Sequence, residues 1–245
     1  MGGFDAYVIT RRRLLLGSGL ALTSLAFTKA QRSARLITHV TAPMHVGLHW
    51  RRADGRTYET LADLRAGLDQ PFAALMNAGI FEVGPDGEFQ PQGLHIEQGR
   101  EYRPLNTRSA ANANFYLKPN GVFYIDDAGA HVVRTEAYAP TMTVRLATQS
   151  GPLLFDAQGI HPRFLEGSSS RKRRNAIGVR ADGQVVFALA ERPINFWDLA
   201  TVLREEEGCT AALYLDGTIS SLWRASDGAA PNARQPFAAM LSATA

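Results

Sequence analysis

Six histidines and a single cysteine are the first side chains to weigh for metal or nucleophilic chemistry. His45 and His49 stand four apart, which on a helix would turn both imidazoles to one face for a shared metal. However, Val46, Leu48 and Trp50 alternate with His45, Gly47 and His49, the period of a half-buried strand. On a strand the two rings lie roughly 13 Å apart, too far to share an ion, so they read as polar residues on its open face. His161, in Gly159-Ile160-His161-Pro162, follows a hairpin turn and is either a site residue or a surface one. Cys209 excludes an internal disulfide and any Cys-based zinc cluster. With no neighbour that would lower its pKa, it reads as a small buried residue. There is no Gly-rich phosphate loop, dinucleotide fingerprint, His-Glu-x-x-His or Gly-x-Ser-x-Gly, which lowers the corresponding enzyme classes. Asp216-Gly217 closes the apolar run Ala211 to Leu215. Alone it is a turn dipeptide, but at the end of a strand it is a carboxylate on a rigid support.

The elements that would carry such residues are short strands between frequent turns. Ala53-Asp54-Gly55, Pro85-Asp86-Gly87, Asp127-Ala128-Gly129 and Ala181-Asp182-Gly183 are turn signals, and they predict mostly antiparallel or mixed sheet. Phe115 to Leu117 and Val122 to Ile125 read as a hairpin across Lys118-Pro119-Asn120-Gly121. Val144 to Thr148 with Leu153 to Phe155, and Ala176 to Val179 with Gln184 to Ala190, read as further strands that pair. Two helices are predicted. Thr60 and Asp63 have capping-box form before Leu61, Leu64 and Leu68, and Asn195 caps the stripe Phe196, Leu199, Ala200 and Leu203, which stops at Gly208. No repeat or linker splits residues 31–245, so the expected class is a single α+β domain, with 225–236 an exposed tail segment.

Of 245 residues, 26 are Lys or Arg and 23 are Asp or Glu. Residues 1–30 hold Arg11, Arg12, Arg13 and Lys29 against Asp5 alone, so the remainder carries 22 of each sign and is neutral. Bulk charge therefore gives no argument for a nucleic-acid or anionic-membrane partner. Those first 30 residues have the form of an export signal: a basic start, an apolar stretch from Leu14 to Phe27, and a small-residue cleavage site at Thr28-Lys29-Ala30. Thr10-Arg11-Arg12-Arg13-Leu14-Leu15 resembles the twin-arginine address, and general export could read the segment as well. The expected product is a periplasmic or secreted chain of about residues 31–245 without a stable membrane span.

Three segments depart from ordinary strand-and-turn alternation: Met76-Asn77-Ala78-Gly79-Ile80-Phe81, Arg174-Asn175-Ala176-Ile177-Gly178-Val179, and Leu213 to Leu222 with Asp216-Gly217-Thr218-Ile219-Ser220-Ser221 at its centre. Together with Asn114 to Phe123, Ala147-Thr148-Gln149-Ser150-Gly151-Pro152 and Pro193 to Asp198, they resemble the blocks of the phosphodiester glycosidase domain family. That family includes the animal uncovering enzyme, which removes N-acetylglucosamine linked through a phosphodiester to mannose. The resemblance covers about residues 36–224, with the blocks in the family's order, and fits an exported bacterial branch. Where animal-type members have Asn-Gly-Gly-Phe-Phe and Asp-Gly-Gly-Gly-Ser-Ser, this chain keeps the polar ends and replaces glycines between them, which implies a differently shaped pocket.

The resemblance implies hydrolysis of a glycosyl phosphodiester in an envelope glycan or glycosyl-phosphate conjugate. Bond breaking at an anomeric carbon passes through an oxocarbenium-like state that a carboxylate stabilises or attacks. Asp216 is the expected essential carboxylate, with Glu136 and Glu191 as candidates for a second. Arg174 offers a permanently charged fork for phosphate oxygens. Asn77, Asn175, Ser220 and Ser221 are short polar groups suited to sugar hydroxyls or phosphate, Gly79 and Gly217 allow close approach, and Gln149 and Ser150 complete the wall. No cofactor is implied. Scattered ligands leave a divalent ion open. The competing reading is a non-catalytic carbohydrate-binding protein of the envelope.

Overall fold

The computed structural model describes residues 36–110 and 113–245, and the expected export signal lies outside them. Nearly every element is an antiparallel strand. A six-stranded sheet runs in the order β1 (Leu36–Thr41), β14 (Val185–Ala190), β13 (Asn175–Arg180), β15 (Cys209–Asp216), β11 (Leu153–Asp156) and β12 (Gly159–Ile160). A five-stranded sheet joins β7 (Arg100–Arg103), β6 (His95–Glu97), β10 (Leu146–Ser150), β8 (Gly121–Asp126) and β9 (Gly129–Arg134). A four-stranded sheet joins β16 (Leu222–Arg224), β3 (Phe72–Asn77), β17 (Met240–Thr244) and β2 (Val46–His49), and β4 (Phe81–Val83) pairs with β5 (Phe89–Pro91).

Side chains alternate across each strand, so each large sheet buries one face in a common centre and the other under its own cover. The shared core takes Ile177, Phe187, Leu213 and Leu215 from the first sheet, Phe123, Ile125 and Leu146 from the second, and Leu48, Met76 and Leu241 from the third. The outer face of the six-stranded sheet, with Ala176, Ala188 and Tyr214, packs under the helix Phe196–Glu205, called α2. The outer face of the four-stranded sheet packs under α1, Leu61–Gly67, through Leu61, Leu64, Leu75 and Met240. Both helices are capped as the sequence predicts. Asp63 N donates to Thr60 Oγ1 at 3.0 Å and Asp198 N to Asn195 Oδ1 at 2.7 Å, and Gly208 at φ 69° follows α2.

Three expectations need correction. Phe115 is not on a hairpin strand: Asn114–Tyr116 is a 3-10 turn, and β8 pairs with β9 and β10 instead. Asn120 donates from Nδ2 to Phe115 O at 2.8 Å, which curls the segment back on itself. Gly121 then serves close strand approach, since a Cβ there would stand 2.7 Å from Val133 O. Secondly, β10 and β11, adjacent in sequence, separate into different sheets at Gly151-Pro152. Lastly, 225–236 is a mostly exposed loop but not a tail, because the chain returns as β17 between β3 and β2.

Candidate active site

The six- and four-stranded sheets meet at one place, where β15 and β3 end and β13 begins. In the register of the six-stranded sheet Asn175 faces Asp216 while Ala176 faces Tyr214, so Leu215 is an extra residue that bulges β15 and re-aims Asp216. On the neighbouring sheet, β16 follows from Ser221 and pairs with β3 just before Asn77.

Around Asp216 the polar groups form one hydrogen-bonded net. Asn77 Nδ2 lies 3.4 Å from Asp216 Oδ2, and Gly217 N donates to Asp216 Oδ1 at 2.5 Å. Asn175 Nδ2 donates to Asn77 O and Oδ1 at 2.9 and 3.0 Å, and Ser221 N donates to Asn77 Oδ1 at 2.9 Å. Ser220 Oγ lies 3.1 Å from Asn175 N, which donates to it, and 2.9 Å from Asp216 O. Ser150 Oγ donates to Leu215 O at 3.1 Å and so ties the end of β10 to the bulge. Asn77, Asn175, Ser150 and Ser220 are all buried, whereas Asp216 is half-buried. Burial pushes the Asp216 carboxyl up to about 6, against the lowering effect of the Gly217 N–H. It titrates near neutrality, in the range of a group that exchanges protons or switches charge during catalysis.

Arg174 occupies the outer side of the same corner. It is 2 % exposed, with Nε donating to Ile194 O at 3.0 Å and Nη2 to Ser170 O at 3.1 Å. Its guanidinium carbon lies 3.7 Å from the centre of the Phe196 ring. Among the described residues no carboxylate forms an ion pair with it, and burial lowers its pKa. A buried guanidinium held by neutral partners is predisposed to an anion. Tyr214, which sequence reasoning missed, lies beside Arg174, whose guanidinium carbon stands 5.6 Å from the centre of its ring, and burial pushes its hydroxyl up to about 12. Gly217 leaves room for it, since a Cβ there would stand 2.7 Å from the Tyr214 hydroxyl. The available signal was an aromatic residue in an otherwise aliphatic strand, two positions before the aspartate.

The other expected residues fall into place less directly. Gly79 has φ 81°, a conformation suited to glycine, and packs against Gln149 and Ser150. Gln149 is fully engaged as a staple: Oε1 accepts from Leu94 N and Asn106 N, and Nε2 donates to Asn106 O and Thr135 Oγ1. Glu136 is exposed on the turn after β9 and pairs with Lys118 at 2.7 Å, and Glu191 is exposed after β14. Neither joins the net around Asp216. His161 is buried against Phe164 and not on the surface, and burial lowers it to about 4. Cys209 is buried, with its thiol pushed up to about 12 by that burial. Among the described residues, no group of three or more His, Cys, Asp or Glu could hold a metal, and no helix is long and apolar enough to cross a membrane.

Comparison with known proteins bears on this arrangement. A family profile described as phosphodiester glycosidase matches residues 71–241. The chain is 35% identical over 199 residues to the uncharacterised protein YigE of Escherichia coli (strain K12), covering 80% of this chain and 76% of that one. The catalytic domain of zebrafish N-acetylglucosamine-1-phosphodiester alpha-N-acetylglucosaminidase, auto-inhibited by its pro-peptide, matches with a TM-score of 0.59 at 12% identity, over 86% of this chain and 83% of that domain. A protein from Burkholderia pseudomallei K96243 matches with a TM-score of 0.57 at 14% identity, over 86% of this chain and 74% of that one. At such identities the two structures show a common fold.

Proposed function

The chain belongs to the phosphodiester glycosidase family, and from that premise we propose that it is an exported hydrolase of glycosyl phosphodiesters, acting on an envelope glycan or glycosyl-phosphate conjugate through Asp216. The observation that carries this reading is the meeting, across the paired residues Asn175 and Asp216, of a raised, half-buried carboxylate with a buried guanidinium that no described carboxylate pairs. Asp216 faces the anomeric carbon, and its charge grows in value as positive charge develops on the sugar. Arg174, stacked on Phe196, takes the phosphate oxygens. When water replaces it at the anomeric carbon, the phosphate leaves as a stable phosphomonoester anion, so the guanidinium does for this leaving group what a protonated carboxyl does for an ordinary alcohol. Asn77, Asn175 and Ser220 hold Asp216 and the neighbouring sugar hydroxyls, while Gly79 and Gly217 keep side chains out of the approach. In this proposal residues 1–30 are the export signal and the working protein is periplasmic or secreted from about Gln31.

The reading is tested by incubating the purified protein with a panel of glycosyl-1-phosphodiesters that differ in sugar and anomer, with released sugar and phosphomonoester identified by mass spectrometry. Release of both from at least one member is expected. Binding of panel members with no release would favour the carbohydrate-binding alternative.

A further inference from the structure

A second cavity lies elsewhere. A space of about 590 Å³ opens beside the end of β2, lined by His49, Arg51, Arg52, Tyr58, Glu97 and Gln98 with their neighbours. None of the residues around Asp216 lines it. In the four-stranded sheet His49 and Asn77 both pair with Met240, so the two places sit two strands apart, roughly 10 Å along the sheet.

The polar groups on this wall are braced from behind. His49 Nε2 lies 2.8 Å from Ser242 Oγ, and Gly47 makes the contact possible because a Cβ there would stand 2.6 Å from both atoms. Glu97 Oε1 is 2.6 Å from His95 Nε2, with both residues buried. Arg52 is ion-paired to Asp63 with its guanidinium carbon 4.4 Å from the centre of the Tyr58 ring. Arg51 pairs with Glu88 at 3.2 Å and lies 4.3 Å from the centre of the Trp50 ring. His49 is held neutral, since burial first and the nearby His95 second bring it down to about 4. A neutral imidazole presents one donor and one acceptor.

Burying and ordering these groups costs desolvation and side-chain entropy that the hydrophobic core does not require. A pre-oriented mixture of carboxylate, guanidinium and imidazole, with the exposed Gln98 amide at its rim, suits a ligand whose groups each donate and accept. An anion would be opposed by Glu97 and Asp54, and a cation by Arg51 and Arg52. A neutral polyol satisfies both signs, while Leu48, Leu68 and Tyr102 give apolar surface for its C–H faces.

We propose that this cavity is a second, non-catalytic saccharide site, which holds a neutral sugar unit apart from the bond at Asp216. The inference stands on the chemistry of the wall and does not need turnover. The test is titration calorimetry of the protein with neutral gluco-, manno-, galacto- and N-acetylglucosamine tetrasaccharides. Three variants are measured alongside: Glu97→Gln, Gln98→Gly and, in the other site, Asn77→Ala. Gln98 has φ 50°, which glycine adopts freely, so that variant keeps the fold even where Glu97→Gln does not. At least one tetrasaccharide should bind, about tenfold more weakly in the two cavity variants and unchanged in Asn77→Ala. The proposal is overturned if none binds, if Gln98→Gly leaves the affinity intact, or if Asn77→Ala abolishes binding. Because binding is read without turnover, this outcome is independent of whether phosphodiesters are cleaved.

Discussion

Asp216 is costly to the fold in the form that catalysis needs. Its ordinary value is 3.8 and burial raises it to about 6. Below pH 3.8 the carboxyl is protonated in both folded and unfolded chains, and its burial adds no pH-dependent penalty. Between the two values the unfolded chain releases its proton first, so stability falls as pH rises, and above about pH 6 the whole penalty stands. A shift of this size corresponds to up to about 3 kcal/mol. Asp216→Asn should therefore equal the wild type in denaturant stability near pH 3.5 and exceed it by about 1–3 kcal/mol near pH 7.5. Equal stability at both pH values would show that the carboxylate is not held in a desolvated place. A residue that weakens its own fold at working pH is one kept for chemistry.

At the scale of elements, what matters is where a strand begins. Arg171, Lys172 and Arg173 are exposed on the loop before β13, and Arg171 pairs with Asp198 there at 3.2 Å. Arg174 comes one residue before β13 starts and is turned inward onto Phe196 and Tyr214. One residue's advance along the chain thus converts a solvated cation into a buried one. Arg174→Ala should raise KM for a phosphodiester substrate about tenfold or more, while Arg173→Ala should change it less than twofold. Equal effects on steady-state kinetics would mean that the loop, and not the strand start, binds phosphate.

Much of this layer was legible in the sequence. Helix caps showed because Thr60 and Asn195 act within one turn, and the strand ends at Asp216 and Asn175 showed because apolar runs stop there. The bulge at Leu215 was not legible, since it exists only in the pairing of β15 with β13. Gln149 likewise looks like a wall residue in sequence, but the four bonds that occupy it come from Leu94, Asn106 and Thr135, all distant along the chain. The Asn-Gly at 120–121 misled for the same reason, because a side-chain bond to Phe115 outweighed local turn preference.

For the whole molecule, three sheets around one core bring β3, β13 and β15 together at a single corner, and the covering helix α2 supplies Phe196 as the platform for Arg174. The neutral charge of residues 31–245 fits recognition by local pairs of groups and not by a broad field. The central claim is that this corner cleaves a sugar–phosphate bond through one carboxylate. Its most direct test is the turnover of Asp216→Asn beside the wild type on the best phosphodiester of the panel, with substrate binding measured in parallel. The account predicts binding retained within about threefold and turnover lower by roughly a hundredfold or more. Near-normal turnover in Asp216→Asn would contradict it.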